Sequence, residues 1–99
     1  MGEIRYLAAA DKFISSLEAR HRARILADIE LISRLGFRAP VSVRTITGHS
    51  PMWEVKNGDY RTFFFIDDGV MWILHACKKQ DQRHGITAAA ERMKALRGR

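Results

Sequence analysis

Three short runs in the second half of the chain carry charged side chains in fixed relation: Met52-Trp53-Glu54-Val55-Lys56, Tyr60-Arg61-Thr62-Phe63-Phe64-Phe65-Ile66, and Val70 to Cys77, followed at once by Lys78-Lys79 and then by Arg83-His84. These side-chain types suit metal-free cleavage of RNA. That reaction needs a base for the neighbouring 2′-hydroxyl, cations around the phosphorane, and an acid for the departing 5′ oxygen. Lys and Arg meet the second requirement directly, and a lysine meets the first where neighbouring cations lower its pKa. Lys56 with Arg61 is the leading pair. The plain alternative is a solvated strand on which Glu54 and Arg61 form a surface cross-strand pair. Lys78, Lys79 and Arg83 suit a phosphate-binding rim, and equally an ordinary charged strand end. His84 is the candidate acid, because its ordinary pKa lies near neutrality, against the bland reading of an exposed loop histidine.

The turns decide where these groups point. Asn57-Gly58 and Asp68-Gly69 are strong signals for two-residue hairpin loops, since such loops need positive φ. With Asn57-Gly58 as the loop, Lys56 falls opposite Asp59 and Glu54 opposite Arg61. With Asp68-Gly69 as the loop, Arg61 falls opposite Ala76 and Phe63 opposite Leu74. Cross-strand partners share a face, so Glu54, Lys56 and Arg61 project to one side, continued beyond the third strand by Lys78. A bulge would reverse this for one strand.

Upstream, Ile4 to Leu7 reads as a short edge strand. Helical spacing begins at Ala8, with Phe13, Ile14 and Leu17 as an apolar stripe, and the segment from Glu18 to Arg22 marks the passage into a second helix. Ile25, Ile29 and Ile32, with Leu26 and Leu35, form that helix's buried face, and Gly36 caps it. Ala39-Pro40 breaks the helix, Val41 to Ile46 is extended, and Thr47 to Pro51 is a turn-rich link. Gln80 to Gly85 reads as a polar loop, after which Thr87 caps a last helix running to Leu96. The order β-α-α-β-β-β-β-α predicts an α+β fold: an N-terminal strand, a helical hairpin packed on a mostly antiparallel four- to five-stranded sheet, and a C-terminal helix.

Ninety-nine residues suit one domain spanning 1–99. A net charge of +6, from seventeen Lys and Arg against eleven acidic residues, favours a polyanionic partner, although basic composition by itself also serves solubility. The single cysteine, Cys77, rules out an internal disulfide and points to a reducing compartment, the cytoplasm by default. No signal-peptide pattern or membrane-length apolar stretch is visible, so no membrane partner is expected. His75 alternates with Cys77 as a satisfied sheet residue, and without a second ligand pair at zinc spacing they make a poor metal site. Trp53, Trp72 and Phe63 to Phe65 read as core before base-stacking surface. No P-loop, dinucleotide fingerprint or nucleophile elbow is present.

Taken together, the Trp-Glu-hydrophobic-basic step at Trp53 to Lys56, the Tyr60-Arg61 strand and the ending Leu74-His75-Ala76-Cys77-Lys78-Lys79 resemble the RelE/HigB family of bacterial type II toxins, in its phage-derived HigB-like branch. The likeness covers nearly the whole chain. It implies an endoribonuclease, an mRNA interferase that cuts translated mRNA on the ribosome by metal-independent 2′-hydroxyl attack and needs no cofactor. It also implies a cognate antitoxin, expected as a small helix-turn-helix protein. By position Lys56 matches the family's basic residue before the Tyr-Arg step, Arg61 the phosphate-stabilising arginine, and Lys79 a basic residue at the strand end. Lys78, Arg83 and Glu54 fall on the implied RNA-binding surface. The chain departs from the RelE pattern in lacking a tyrosine after the last strand, which leaves His84 as the protonatable substitute, and in placing Glu54 on an otherwise basic face. A ParE-like gyrase inhibitor and a decayed toxin that only binds RNA or antitoxin are the competing readings.

Overall fold

The computed structural model describes residues 2–98. In chain order it has β1 (Glu3–Tyr6), α1 (Ala8–Ser15), α2 (Ala19–Leu35), a 3-10 turn at Gly36–Arg38, β2 (Ser42–Thr45), β3 (Trp53–Asn57), β4 (Tyr60–Asp67), β5 (Val70–Lys78), a second 3-10 turn at Lys79–Asp81, and α3 (Gln82–Arg97). The strands form one sheet in the order β1-β5-β4-β3-β2. Among the described residues β1 and β5 pair in parallel, and the other neighbouring strands are antiparallel. The α+β architecture expected from the sequence is therefore present.

Helical periodicity fixes one layer. Ala10 and Ile14 of α1 and Ile25, Ile29 and Ile32 of α2 recur at three- and four-residue steps, and all are buried with Val55, Phe64, Met71 and Ile73 on one sheet face. The break between the helices falls at Ser16 to Glu18, at the near edge of the expected segment. There the Ser16 hydroxyl donates to the Phe13 carbonyl at 2.6 Å, and Arg22 Nη1 donates to the Leu17 carbonyl at 2.9 Å, which ties up carbonyls at the end of α1. On the opposite sheet face, Met52, Phe63, Phe65 and Leu74 pack with Ala89 and Met93 of α3. The sheet thus lies between the helical hairpin and the C-terminal helix.

Three sequence expectations are corrected. The first hairpin loop is Gly58-Asp59, because Asn57 pairs with Tyr60 and Lys56 with Arg61. Positive φ is needed only at Gly58 (+55°), and Asn57 is occupied by a hydrogen bond from its side-chain amide to Asp28 of α2. In the second hairpin, Asp68 (+50°) and Gly69 (+76°) both adopt positive φ as expected, but a bulge follows. Phe64 pairs with Ile73 and Phe63 with His75, so Leu74 is the extra residue on β5, and Arg61 meets Cys77 instead of Ala76.

The third correction concerns Gln80 to Gly85, which is not a loop: α3 begins at Gln82, and Thr87 lies inside it. Gly85 reads as a breaker, yet it serves close approach, since a Cβ there would lie 2.7 Å from Cys77 Sγ and 2.9 Å from Phe63 Cε2. Ala would favour the helix by about 1 kcal/mol, whereas overpacking the contact opposes it by roughly 1–3 kcal/mol. Gly85→Ala is therefore expected to lower the melting temperature by a few degrees, despite the better helix former. A scanning calorimetry trace with an unchanged or raised midpoint would show that the contact yields freely.

Candidate active site

The β2–β3 and β3–β4 registers bring the chemistry together. Lys56 is paired directly with Arg61, and Arg44 of β2 with Glu54. The expected pairing of Glu54 with Arg61 is replaced by Glu54 with Phe63. The partner shift is two residues, so Glu54, Lys56 and Arg61 still share a face, as the sequence reading required. On that face Ser42, Arg44, Glu54, Lys56, Arg61 and Gln82 line a cleft of about 230 Å3.

These side chains differ sharply in exposure. Lys56 is exposed, whereas Arg61 is 4% exposed and Glu54 1%. Arg61 Nη1 donates to the carbonyls of Gly58 at 2.7 Å and Tyr60 at 2.9 Å, so the guanidinium is fastened to the hairpin turn while it lines the cleft. Both Glu54 oxygens are taken: Oε1 accepts from Arg44 Nε at 2.7 Å and Oε2 from Gln82 Nε2 at 2.5 Å. A buried carboxylate needs such partners, because leaving it short of one costs about 1–3 kcal/mol or more. The cleft therefore holds three cations around one buried anion, a set that suits a phosphodiester at its mouth.

The remaining expected residues lie elsewhere. Lys78 pairs with Tyr60, whose ring meets Phe13 and His21 at centroid distances of 6.2 and 5.2 Å on the helical-hairpin face. The Leu74 bulge thus moves Lys78 off the face of Arg61. Lys79 is exposed beside the first hairpin, its amide donating to the Asp59 carbonyl at 2.7 Å. Arg83 is exposed on the first turn of α3, outside the cleft lining. His84 is not brought to the cleft. Two residues along a helix are about 200° apart, so with Gln82 turned to Glu54, His84 faces a different groove. Arg44, Ser42 and Gln82 were missed. The β2–β3 register would have revealed Arg44 opposite Glu54, but the long turn between those strands conceals it. Gln82 was hidden by the reading of its segment as loop.

The second groove, about 590 Å3, lies between α1 and α3, with Lys12, Phe13, His75, Cys77, His84 and Gly85 among its lining residues. It is larger and mostly apolar, and the cations do not converge there. Burial, with Asp81 and Glu54 adding to it, pushes the Cys77 thiol up to about 11, which keeps it protonated and unreactive. His75 Nδ1 lies 2.8 Å from Arg92 Nη1. Because arginine can only donate, His75 accepts at Nδ1 and is neutral.

Burial first and the Arg92 charge second lower the His75 pKa from its ordinary 6.5. As pH falls through that value the unfolded chain takes up the proton before the folded one, so stability is full above it and declines below. His75→Gln should flatten this part of the profile between about pH 7 and 5. Urea melts of both proteins across that window test it, and parallel curves would remove His75 as the cause.

Residues 12–95 match the family model "Phage derived protein Gp49-like". No curated protein sequence matches the chain. Among solved structures, a mutant of the Escherichia coli toxin RelE in the free state is similar with a TM-score of 0.71 at 14% identity, over 91% of this chain and 95% of that one. A chain of the RelB–RelE antitoxin–toxin complex of Methanococcus jannaschii gives 0.70 at 12% identity, over 81% and 95%. The RelE–RelB complex of Pyrococcus horikoshii gives 0.66 at 21% identity, over 78% and 93%. At these identities the likeness establishes a shared fold.

Proposed function

The chain belongs to the phage-derived Gp49-like family, and from that premise and the RelE-like fold we propose that it is the toxin of a type II toxin–antitoxin pair, an endoribonuclease of HigB type that cuts translated mRNA. The observation that carries this reading is the cleft at which Lys56 and Arg61 are direct cross-strand partners, with Arg44 alongside. Three cations in one cleft suit a single phosphate. Arg61, held to the turn, presents a rigid guanidinium; Lys56, free at the surface, closes on the phosphorane. The 2′ hydroxyl gives up its proton to solvent water as its oxygen attacks phosphorus, and the bond to the 5′ oxygen breaks, leaving a 2′,3′-cyclic phosphate and a 5′-hydroxyl. Since His84 faces the other groove, Lys56 takes the role of proton donor to the 5′ oxygen, because an ammonium exchanges a proton that a guanidinium retains.

Partners follow from the same reading. The ribosome presents the mRNA, and a cognate antitoxin, a small helix-turn-helix protein, covers the basic face in the cytoplasm. Binding of that partner should weaken as salt rises. The test is induction of the chain in growing cells, with mapping of mRNA ends. New ends bearing 5′-hydroxyls, suppressed by coexpression of the neighbouring small gene product, are expected. Intact mRNA with altered DNA supercoiling would instead favour the gyrase-inhibitor reading, and growth without either change would leave only a binding module.

A further inference from the structure

We infer that Arg44 is a phosphate-binding residue of the cleft and that Glu54 is the positioning residue that aims it; this rests on the proposed reading of the cleft as an RNA site. Two other roles for Glu54 are disfavoured by the geometry. A general base needs a free oxygen that substrate can reach, yet Glu54 is 1% exposed with both oxygens engaged. A plain surface ion pair would leave both partners in water, yet here only Arg44 is, its side chain 64% exposed against 1% for Glu54. The bond to Glu54 uses Arg44 Nε alone. Among the described residues the two Nη groups of Arg44 have no hydrogen-bond partner, and the side chain is largely exposed and lines the cleft, so these donors are available to a ligand there. Gln82 closes the other side of the carboxylate and prevents it from turning. The anion in an otherwise cationic cleft is therefore a bracket that orders a long, flexible side chain before RNA arrives, which reduces the entropy lost on binding.

This assignment makes a prediction whose sign is opposite to that of simple charge counting. Glu54→Gln raises the net charge of +6 by one, which by long-range attraction alone would tighten RNA binding. If Glu54 aims Arg44, the variant binds RNA more weakly, by about threefold, because a charge-assisted hydrogen bond becomes a neutral one. Arg44→Ala should weaken binding by about tenfold and make the dependence of log Kd on log salt shallower by about 0.7, one phosphate contact on a single strand. Arg44→Gln, which can still donate to Glu54 and so protects the fold, should show the same loss.

The experiment is fluorescence anisotropy with a short 2′-O-methyl RNA, which binds but cannot be cut, on the parent, the three single variants and the double variant Arg44→Ala with Glu54→Gln. The double variant should bind no more weakly than Arg44→Ala alone. Tighter binding by Glu54→Gln, or unchanged binding by Arg44→Gln, overturns the inference. Since the probe is uncleavable, the readout does not depend on catalysis: a parent protein that cuts no mRNA, with these binding changes intact, sinks the nuclease reading alone. Weaker binding by Lys56→Ala with none by Arg44→Gln sinks this inference alone. A parent that binds no RNA sinks this inference, and the mapping of mRNA ends then decides the nuclease reading by itself.

Discussion

Replacing Lys56 by alanine should slow cleavage of mRNA on programmed ribosomes by about 100- to 1,000-fold, the size expected for removing one group aimed at transition-state charge. The structure makes this the clean test of the site. Lys56 is exposed, and among the described residues its side chain makes no hydrogen bond or ion pair, so its loss empties no core and strands no partner. Stability should stay within about 0.5 kcal/mol of the parent, as for surface substitutions generally. Lys56→Arg separates two roles. It keeps the charge, so RNA affinity should be largely restored, while the rate stays low if the lysine proton is the one delivered to the 5′ oxygen. Single-turnover rates with saturating enzyme decide it; a Lys56→Ala protein as fast as the parent would dismiss the cleft as the reaction centre.

What made Lys56 findable in the sequence also explains what stayed hidden. Strand periodicity is local, so the face shared by Glu54, Lys56 and Arg61 survived a loop placed one residue early: moving the loop from Asn57-Gly58 to Gly58-Asp59 changes partners by two and keeps parity. Helical stripes were equally legible, because Ile25, Ile29 and Ile32 announce one buried face whatever lies against it. The bulge at Leu74 was not, since it answers to packing on both sheet faces and has no turn residue to mark it. That single unpaired residue carried Lys78 to the wrong face. The start of α3 was lost for a related reason: Gly85 signals a break in isolation, and only the proximity of Cys77 and Phe63 shows that the glycine permits the helix to approach. With α3 misplaced, Gln82 could not be assigned to the cleft, and His84 was credited with a position that the helix denies it.

Arg61→Ala should behave differently from Lys56→Ala, although the two residues are neighbours across one strand pair. From the sequence both substitutions look like charge removals that spare the fold. The structure buries Arg61 to 4% and gives its Nη1 two backbone carbonyls, those of Gly58 and Tyr60. Alanine would leave these acceptors at a tight turn without their donor and open a void beneath the cleft, a loss of about 2–3 kcal/mol. For a domain of this size that corresponds to a fall in melting temperature of roughly 10–20 °C. Activity should fall as well, by at least as much as in Lys56→Ala, because the turn that sets the Lys56–Arg61 register loosens while a cation is lost. Arg61→Lys tests the division of labour: a lysine restores charge but cannot bridge two carbonyls and face the cleft in the same planar geometry, so stability should recover only in part. Melting curves and single-turnover rates measured together on both variants are decisive. A melting temperature within a degree or two of the parent for Arg61→Ala would mean that the guanidinium does not hold the turn, and that its contribution is to the reaction alone.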